Sequence, residues 1–237
     1  MLENFPKKRP ALPPEFEAIY ADHYKENREG SSAASGVAQK LESWMHRKVA
    51  ADSSPHKRTL EIGAGTLNHL QYEPDVNLYD IVEPFHSLYE SSPLLNRVSS
   101  IYDSVFDIPE GEQYDRIISI ATFEHICDLP AVVAGAGMLL SSEGSLNLGI
   151  PSEGTILWKL GYTMTTGLEF KRKYGLDYEV LMRHEHVNTA AEIEDVLRLF
   201  FKKVERKVFG ILPSLSLYQY FQCSAPDIER CRKYIAG

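Results

Sequence analysis

From residue 58 onward, short apolar runs alternate with longer stretches in which apolar residues recur at helical spacing. The short runs predict strands near 58–62, 78–83, 98–102, 116–121 and 144–150. The longer stretches predict helices near 67–72, 85–91, 129–140 and 189–201. Two more strand patterns, 203–211 and 215–223, flank Pro213-Ser214 and predict a hairpin. The predicted fold class is α/β and doubly wound, with a mostly parallel seven-stranded sheet that ends in an antiparallel hairpin.

Two segments lie outside this alternation. Helical spacing over 15–24 and 37–49 predicts N-terminal helices. Residues 151–188 are rich in aromatic side chains and follow the fifth strand, so they reach the sheet edge at which open α/β folds bind ligands. We interpret this segment as a helical, aromatic substrate cap with Trp158 and Tyr178 as candidate substrate contacts. The alternative is an insertion that only packs or forms a homodimer.

The predicted domains follow from these elements. Residues 1–56 form an N-terminal tail with lid helices, and residues 57–150 form the core of the sheet. Residues 151–188 are the cap insertion, and residues 189–237 supply a C-terminal helix and the hairpin that completes the core.

The stretch Thr59–Thr66 predicts a strand, a tight turn and the start of a helix. Gly63 and Gly65 allow positive φ angles and close approach of a ligand, and the helix start offers unpaired N–H groups. Glu83 ends the next apolar run, where its carboxylate is well placed to accept hydrogen bonds from a ribose diol. The pattern therefore predicts a nucleoside site.

Two other nucleotide-binding patterns and one reductase pattern are missing. A dinucleotide fingerprint requires a third glycine at position 68, which is Asn68, and no phosphate-binding G-x-x-x-x-G-K-[ST] motif occurs. No tyrosine is followed by lysine at the Tyr-x-x-x-Lys spacing of many nicotinamide-dependent reductases. These absences disfavour a pyrophosphate or triphosphate ligand and a reductase.

Four stretches resemble class I S-adenosylmethionine-dependent methyltransferases in order and spacing. Leu60-Glu-Ile-Gly-Ala-Gly-Thr66 resembles the first motif of that family, although Leu67 stands where a third glycine is usual. Glu83 matches the ribose-binding acid, and Asp103 resembles the acid beside the adenine. The stretch 114–128 resembles the fourth-strand motif that contains Glu-His. The resemblance covers roughly residues 57–150 and implies a Rossmann-like core that binds S-adenosyl-L-methionine and releases S-adenosyl-L-homocysteine.

The resemblance also implies a set of cofactor contacts. Glu61 and Gly63 would hold the methionine end, Thr122 and Phe123 would line the sulfonium, and Asp107 competes with Asp103 for the adenine amine. The full set of implied positions is Glu61, Gly63, Ala64, Gly65, Glu83, Pro84, Asp103, Ser104, Thr122 and Phe123. In similar enzymes N-terminal helices fold over the cofactor, which makes Tyr20 and Tyr24 candidate ligand contacts.

Histidine is suited to removing the proton of an acceptor hydroxyl, because its ordinary pKa is ~6.5. His125 lies beside the implied cofactor site, and His184 and His186 close the cap segment. These three are the candidate bases. The His-x-His pair also suggests metal binding, but alternate residues on an extended segment point to opposite sides, so we assign no metal site.

Composition narrows the partners and the compartment. The chain has 237 residues and a net charge of −8, which disfavours nucleic acid as the main partner. The three cysteines form no C-x-x-C pair, which indicates free thiols in a reducing compartment. No apolar run reaches the ~18 residues of a membrane span. We therefore expect a cytoplasmic protein that acts on a small molecule and not on a membrane.

The predicted function is methyl transfer from S-adenosyl-L-methionine to a small polar acceptor. The acceptor atom is expected to be a hydroxyl of a sugar, nucleotide sugar or related metabolite, because an aromatic cap with histidines suits such molecules. The alternatives are an N- or C-methyltransferase of a small metabolite and a methyltransferase-like binding subunit without turnover.

Overall fold

A computed structural model describes residues 2–17, 19–20 and 33–237, with side chains of the helix at 33–50 described from residue 41 onward. The strands are β1 (Thr59–Ile62), β2 (Tyr79–Val82), β3 (Ser100–Tyr102), β4 (Tyr114–Ile120), β5 (Leu140–Pro151), β6 (Phe201–Leu212) and β7 (Leu215–Pro226). They form one sheet in the order β3-β2-β1-β4-β5-β7-β6. Among the strands of the described residues, β7 runs in the direction opposite to the other six. The predicted fold class is therefore confirmed.

Helices cover both faces of the sheet. They are α1 (Ala33–Ala50), α2 (Leu129–Leu139), α3 (Ile156–Tyr162), α4 (Leu168–Tyr174), α5 (Tyr178–Glu185), α6 (Ala190–Phe200) and α7 (Ile228–Ile235). On β4, Ile117 packs into the core beneath α2 and α6, whereas Ile118 packs into the core beneath α1. A parallel sheet buried on both faces explains why its strands read as continuous apolar runs.

Two predicted helices are wrong in type. The segments near 67–72 and 85–91 form only short 3₁₀ turns, Asn68–Tyr72 and His86–Leu88. Pro74 and Pro93 follow these segments closely, so neither has the length that a stable α-helix needs. The sequence also failed to predict α7.

Close packing against neighbouring side chains explains why α2 contains two glycines. A Cβ on Gly137 would lie 2.9 Å from Cys231 Sγ on α7, and one on Gly135 would lie 3.0 Å from Val105 Cγ2. Glycine therefore lets α2 approach its neighbours closely, which offsets its low helix propensity.

The cap consists of α3, α4 and α5, with a π-helical turn between the first two. Its small core contains Phe16, Phe170 and Leu181, so the helical backbone over 14–17 and 19–20 packs against the cap. Thr189 ends the segment and caps the next helix through a capping box with Glu192. Within the described ranges, no helix combines the length and apolarity that a bilayer crossing requires.

A series of hydrogen bonds between buried polar side chains connects α1, β4 and the turn after β1. Arg116 Nη2 on β4 donates to Val49 O at 2.8 Å and to Glu73 Oε1 at 2.6 Å. The same Glu73 oxygen lies 2.9 Å from His69 Nε2, and His69 Nδ1 lies 2.9 Å from His46 Nδ1. Burial lowers the pKa of His46 to about 3, and the neighbouring His69 contributes to that shift, so His46 is neutral.

Candidate functional site

The turn after β1 meets the end of β2 through Glu83. Gly63 and Gly65 have φ angles of 75° and 51°, which glycine adopts without steric cost. Gly65 N donates to Glu83 Oε2 at 2.8 Å, and Phe85 N donates to Glu83 Oε1 at 3.0 Å. Each carboxylate oxygen keeps a further acceptor site, so the acid is held in place and still able to bind a diol.

Leu67 replaces the usual third glycine yet keeps a left-handed backbone, with φ 64° and ψ 22°. Its side chain is fully buried in the core beneath α1. The backbone strain of ~1–2 kcal/mol is offset by ~1.5–3 kcal/mol from burying the leucine. Burial of the side chain therefore compensates for the left-handed backbone at Leu67.

Thr122, just past β4, closes over the same turn. A Cβ on Gly63 would lie 2.2 Å from Thr122 Cγ2, and Thr122 Oγ1 donates to Ile120 O at 3.1 Å. Only glycine fits at position 63. Phe123 is fully buried, and Ala64 is 2% exposed, so both contribute backbone rather than side chain to the surface of the site.

An open cavity of about 500 Å³ lies beside the end of β3. The lining residues are His86, Tyr89, Ile101, Tyr102, Asp103 and Asp107. Asp103 Oδ1 lies 2.8 Å from His86 Nε2, and Ser104 Oγ accepts from Phe106 N at 3.2 Å. Because Asp103 and Asp107 both line the cavity, either carboxylate can meet a ligand there. Pro84 is exposed beside Glu83.

A second group of polar side chains follows β4 directly. Glu124, His125 and His186 place potential ligand atoms within 4.8 Å of one another. His125 Nδ1 lies 2.9 Å from Glu185 O, and His186 Nδ1 lies 2.6 Å from Glu153 Oε2. Burial raises the pKa of Glu124 to about 7. The pKa of Glu153 is lowered. Burial alone would raise this pKa, but the hydrogen bond from His186 and the charge of His186 have the larger combined effect.

Asn188 holds this group together. Its buried side-chain Nδ2 donates to Phe123 O at 2.8 Å and to Ile126 O at 2.7 Å. The neighbouring Val187 N donates to Glu124 O at 2.8 Å. The segment after the cap is thereby fixed to the loop after β4.

Comparisons with solved structures identify the architecture, whereas no protein-family model and no curated protein sequence matches the chain. A possible histamine N-methyltransferase from Thermotoga maritima is 17% identical, with 88% of this chain and 97% of that chain covered and a TM-score of 0.56. The plantazolicin methyltransferase BpumL, in complex with a monoazolic desmethylPZN analog and SAH, is 13% identical, with 90% and 91% covered and a TM-score of 0.57. A chain of a complex that contains the Haloferax volcanii Trm112 methyltransferase activator is 11% identical, with 91% and 100% covered and a TM-score of 0.57.

The chain has the fold of the S-adenosylmethionine-dependent methyltransferases. In this methyltransferase fold, the carboxyl ends of β1, β2, β3 and β4 bring together most residues that the sequence singled out. The sequence missed Glu153, Glu185 and Asn188. The positions of Glu153 and Asn188 in the sequence gave a weak indication of a functional role. Glu153 follows the predicted fifth strand, and Asn188 is the last residue of the predicted cap segment.

Of the residues that the sequence suggested as substrate contacts, some lie beside the site and one packs inside the cap. Trp158 Nε1 donates to Glu153 Oε2 at 2.7 Å, and its ring stacks near His186. Tyr20 donates to Glu185, which in turn contacts His125. Tyr178 packs against Tyr162 and Phe170 within the cap. Tyr24 lies outside the described residues.

His184 is separated from the other two histidines. It lies on α5, with Nδ1 2.7 Å from Pro10 O and its ring against Tyr20. The prediction that His184 lies on an extended segment is therefore wrong, because α5 continues to Glu185 and His186 is the histidine that follows the helix. His186 faces His125, with ring centroids 4.8 Å apart.

Glu61 lies beneath the turn of the methyltransferase fold. It is 2% exposed and accepts a hydrogen bond from Tyr79 OH at 2.7 Å. Burial raises its pKa to about 8, which outweighs the hydrogen bond from Tyr79. The side chain is therefore mainly protonated at neutral pH.

We expect the free energy of unfolding to decrease as the pH rises, because of Glu61. Its pKa is raised on folding from 4.5 to about 8, so the folded state binds the proton more tightly. The resulting stabilisation is complete below pH ~4.5 and is lost as the pH rises through ~8, by roughly 5 kcal/mol in total. Urea unfolding at pH 6 and pH 9 should show a fall of roughly 3 kcal/mol that Glu61→Gln abolishes.

The matched control for this experiment is Glu90→Gln, which removes an exposed acid. It should keep the pH dependence of the parent protein. If Glu61→Gln and the parent lost stability equally between the two pH values, the raised pKa of Glu61 would be wrong.

Proposed function

We propose that this chain is an S-adenosyl-L-methionine-dependent methyltransferase that methylates a hydroxyl of a small polar acceptor, such as a sugar, nucleotide sugar or related metabolite. The observation that carries the proposal is the placement of Glu83. Its carboxylate is tied to Gly65 N and Phe85 N directly beside a turn that only glycine can form. A buried acid held at the tip of the second strand suits a ribose diol.

The residues around Glu83 fit the rest of the cofactor. Asp103 or Asp107 would bind the adenine amine in the cavity beside β3, and Gly63 with Thr122 would hold the methionine end. Glu61 would act from below through water, because its mainly protonated side chain carries no charge that would attract the ammonium group. When bound, S-adenosyl-L-methionine supplies a methyl group activated by its sulfonium. The product, S-adenosyl-L-homocysteine, would occupy the same contacts.

The acceptor would lie between this site and the cap. Trp158 supplies an aromatic surface beside His186, and Tyr20 reaches Glu185 from the N-terminal segment. His186 is the base that the geometry favours, because the Glu153 carboxylate at 2.6 Å holds Nδ1–H and leaves Nε2 to accept the hydroxyl proton. His125 lies within reach of the same position.

The acceptor atom is proposed from chemistry and not from similarity. One similar structure is a possible N-methyltransferase, and another is a carbon methyltransferase. N- or C-methylation of a small metabolite and a binding subunit without turnover are therefore the alternatives. The presence of a base held by a carboxylate favours a hydroxyl acceptor, since a neutral amine needs less help with its proton.

Turnover distinguishes these alternatives. The full chain is incubated with methyl-labelled S-adenosyl-L-methionine and panels of hydroxylated, amine and carbon acceptors. We expect label transfer to a hydroxylated acceptor, and we expect His186→Gln to lower kcat by ~10²–10⁴-fold while leaving cofactor affinity unchanged. His56→Ala, which alters an exposed histidine before β1, should turn over normally. Cofactor binding without transfer to any acceptor would support the binding subunit instead.

A further inference from the structure

The cluster of Glu124, His125 and His186 has the composition of a metal site. One carboxylate and two imidazoles place ligand atoms within 4.8 Å of one another at the carboxyl edge of the sheet. The His-x-His pair that suggested a metal in the sequence is not used, because His184 turns away on α5. The partners of His186 come instead from the loop after β4, about 60 residues earlier in the chain.

Both histidines are oriented by hydrogen bonds at Nδ1. His186 Nδ1 lies 2.6 Å from Glu153 Oε2, and His125 Nδ1 lies 2.9 Å from the carbonyl oxygen of Glu185. Each acceptor requires the proton on Nδ1, which makes Nε2 the nitrogen with the lone pair in the neutral ring. Metal-binding histidines are oriented in this way by carboxylates and backbone carbonyls.

Glu124 supplies a separate observation. Its side chain is 1% exposed, and its Oε2 has no hydrogen-bond partner among the described residues. Its other oxygen lies 3.8 Å from His125 Nε2. A buried carboxylate oxygen without a partner is costly, and a cation is the ligand that would satisfy it best.

We propose that Glu124, His125 and His186 bind a divalent transition-metal ion such as Zn²⁺, Mn²⁺ or Fe²⁺. Imidazole with carboxylate is the ligand set of these ions, and three protein ligands leave coordination positions open to an acceptor. The ligand atoms must approach to roughly 3.4 Å, the spacing set by bond lengths of ~2.1 Å in a tetrahedral site. His125 is the most exposed of the three side chains, at 25% against 12% for His186 and 1% for Glu124, so it would make most of this approach.

The role of the ion in catalysis rests on the proposed function, whereas the site itself does not. The ion would lower the pKa of an acceptor hydroxyl bound at an open position, and the hydroxyl proton would pass to solvent. With an ion bound, His125 and His186 would serve as its ligands, and this role would replace the role of His186 as the base. A site with more than one open position favours an acceptor with two adjacent oxygen atoms, such as a vicinal diol.

Metal binding is tested on the full chain after treatment with a chelator and dialysis. Titration with Co²⁺, followed by its visible absorption, and reloading with Zn²⁺, followed by mass spectrometry, should each give one ion per chain. His125→Ala, His186→Ala and Glu124→Gln should each weaken Co²⁺ binding by at least ~100-fold, and Glu153→Gln by ~10–100-fold. His56→Ala should bind Co²⁺ like the parent protein.

The proposal is overturned if the parent protein binds no ion, or if the ligand variants bind Co²⁺ as tightly as His56→Ala does. Circular dichroism of each variant verifies its fold, and Glu124→Gln preserves the shape of the buried side chain if alanine variants unfold. Titration with S-adenosyl-L-homocysteine separates the two proposals. If the chain binds the ion but not the nucleoside, the proposed function is wrong and the metal site stands. If turnover continues in the presence of a chelator, the ion has no part in catalysis and His186 is the base.

Discussion

Replacing Glu83 with alanine is expected to weaken S-adenosyl-L-homocysteine binding by at least ~100-fold. Hydrogen bonds to a charged group contribute ~1.5–3 kcal/mol each, and a ribose diol would make two to this carboxylate. A loss of ~3 kcal/mol or more corresponds to a factor of ~100 or greater in Kd. Isothermal titration calorimetry on the purified full chain measures the effect.

The control for Glu83→Ala must separate binding from folding, because Glu83 also accepts hydrogen bonds from Gly65 N and Phe85 N. Glu90→Ala removes a nearby exposed acid and so makes the same change in net charge. It should bind S-adenosyl-L-homocysteine as the parent does. Equal affinity in a folded Glu83→Ala variant would show that this carboxylate does not bind the ribose.

Gly63→Ala is expected to lower the free energy of unfolding by ~2–5 kcal/mol and to abolish nucleoside binding. A φ of 75° costs a residue with a Cβ ~1–2 kcal/mol, and the new atom would lie 2.2 Å from Thr122 Cγ2. Relief of that overlap costs a further ~1–3 kcal/mol and moves the end of β4 away from the turn. Urea unfolding and calorimetry measure the two effects.

Gly175→Ala is the matched control for backbone strain alone. Gly175 has a φ of 72°, nearly that of Gly63, but a Cβ there would meet no atom within 4 Å. Its replacement should cost only ~1–2 kcal/mol and leave nucleoside binding unchanged. Similar losses of stability in the two variants would mean that Thr122 does not pack against the turn.

The sheet and the nucleoside side of the site could be predicted because both depend on local sequence. Apolar runs located all seven strands, and Glu83 follows its strand directly, so its place at the sheet edge follows from the order of elements. The type of the short segments after β1 and β2 could not be predicted. Their helical spacing was real, but the prolines that follow limit each to a single 3₁₀ turn.

The histidine cluster could be predicted only in part. His125 and His186 were recognised from their residue type, but their pairing depends on Asn188, whose side chain ties two distant loops together. Glu153 enters the cluster because β5 ends next to β4 in space. Periodicity carries no information on such contacts between side chains far apart in the chain.

A crystal structure of the full chain with S-adenosyl-L-homocysteine would locate the nucleoside site. We expect the ribose hydroxyls on Glu83, the adenine in the cavity beside Asp103 and Asp107, and the homocysteine end against Gly63 and Thr122. A nucleoside bound elsewhere, or a ribose that makes no contact with Glu83, would show that the turn after β1 is not the cofactor site.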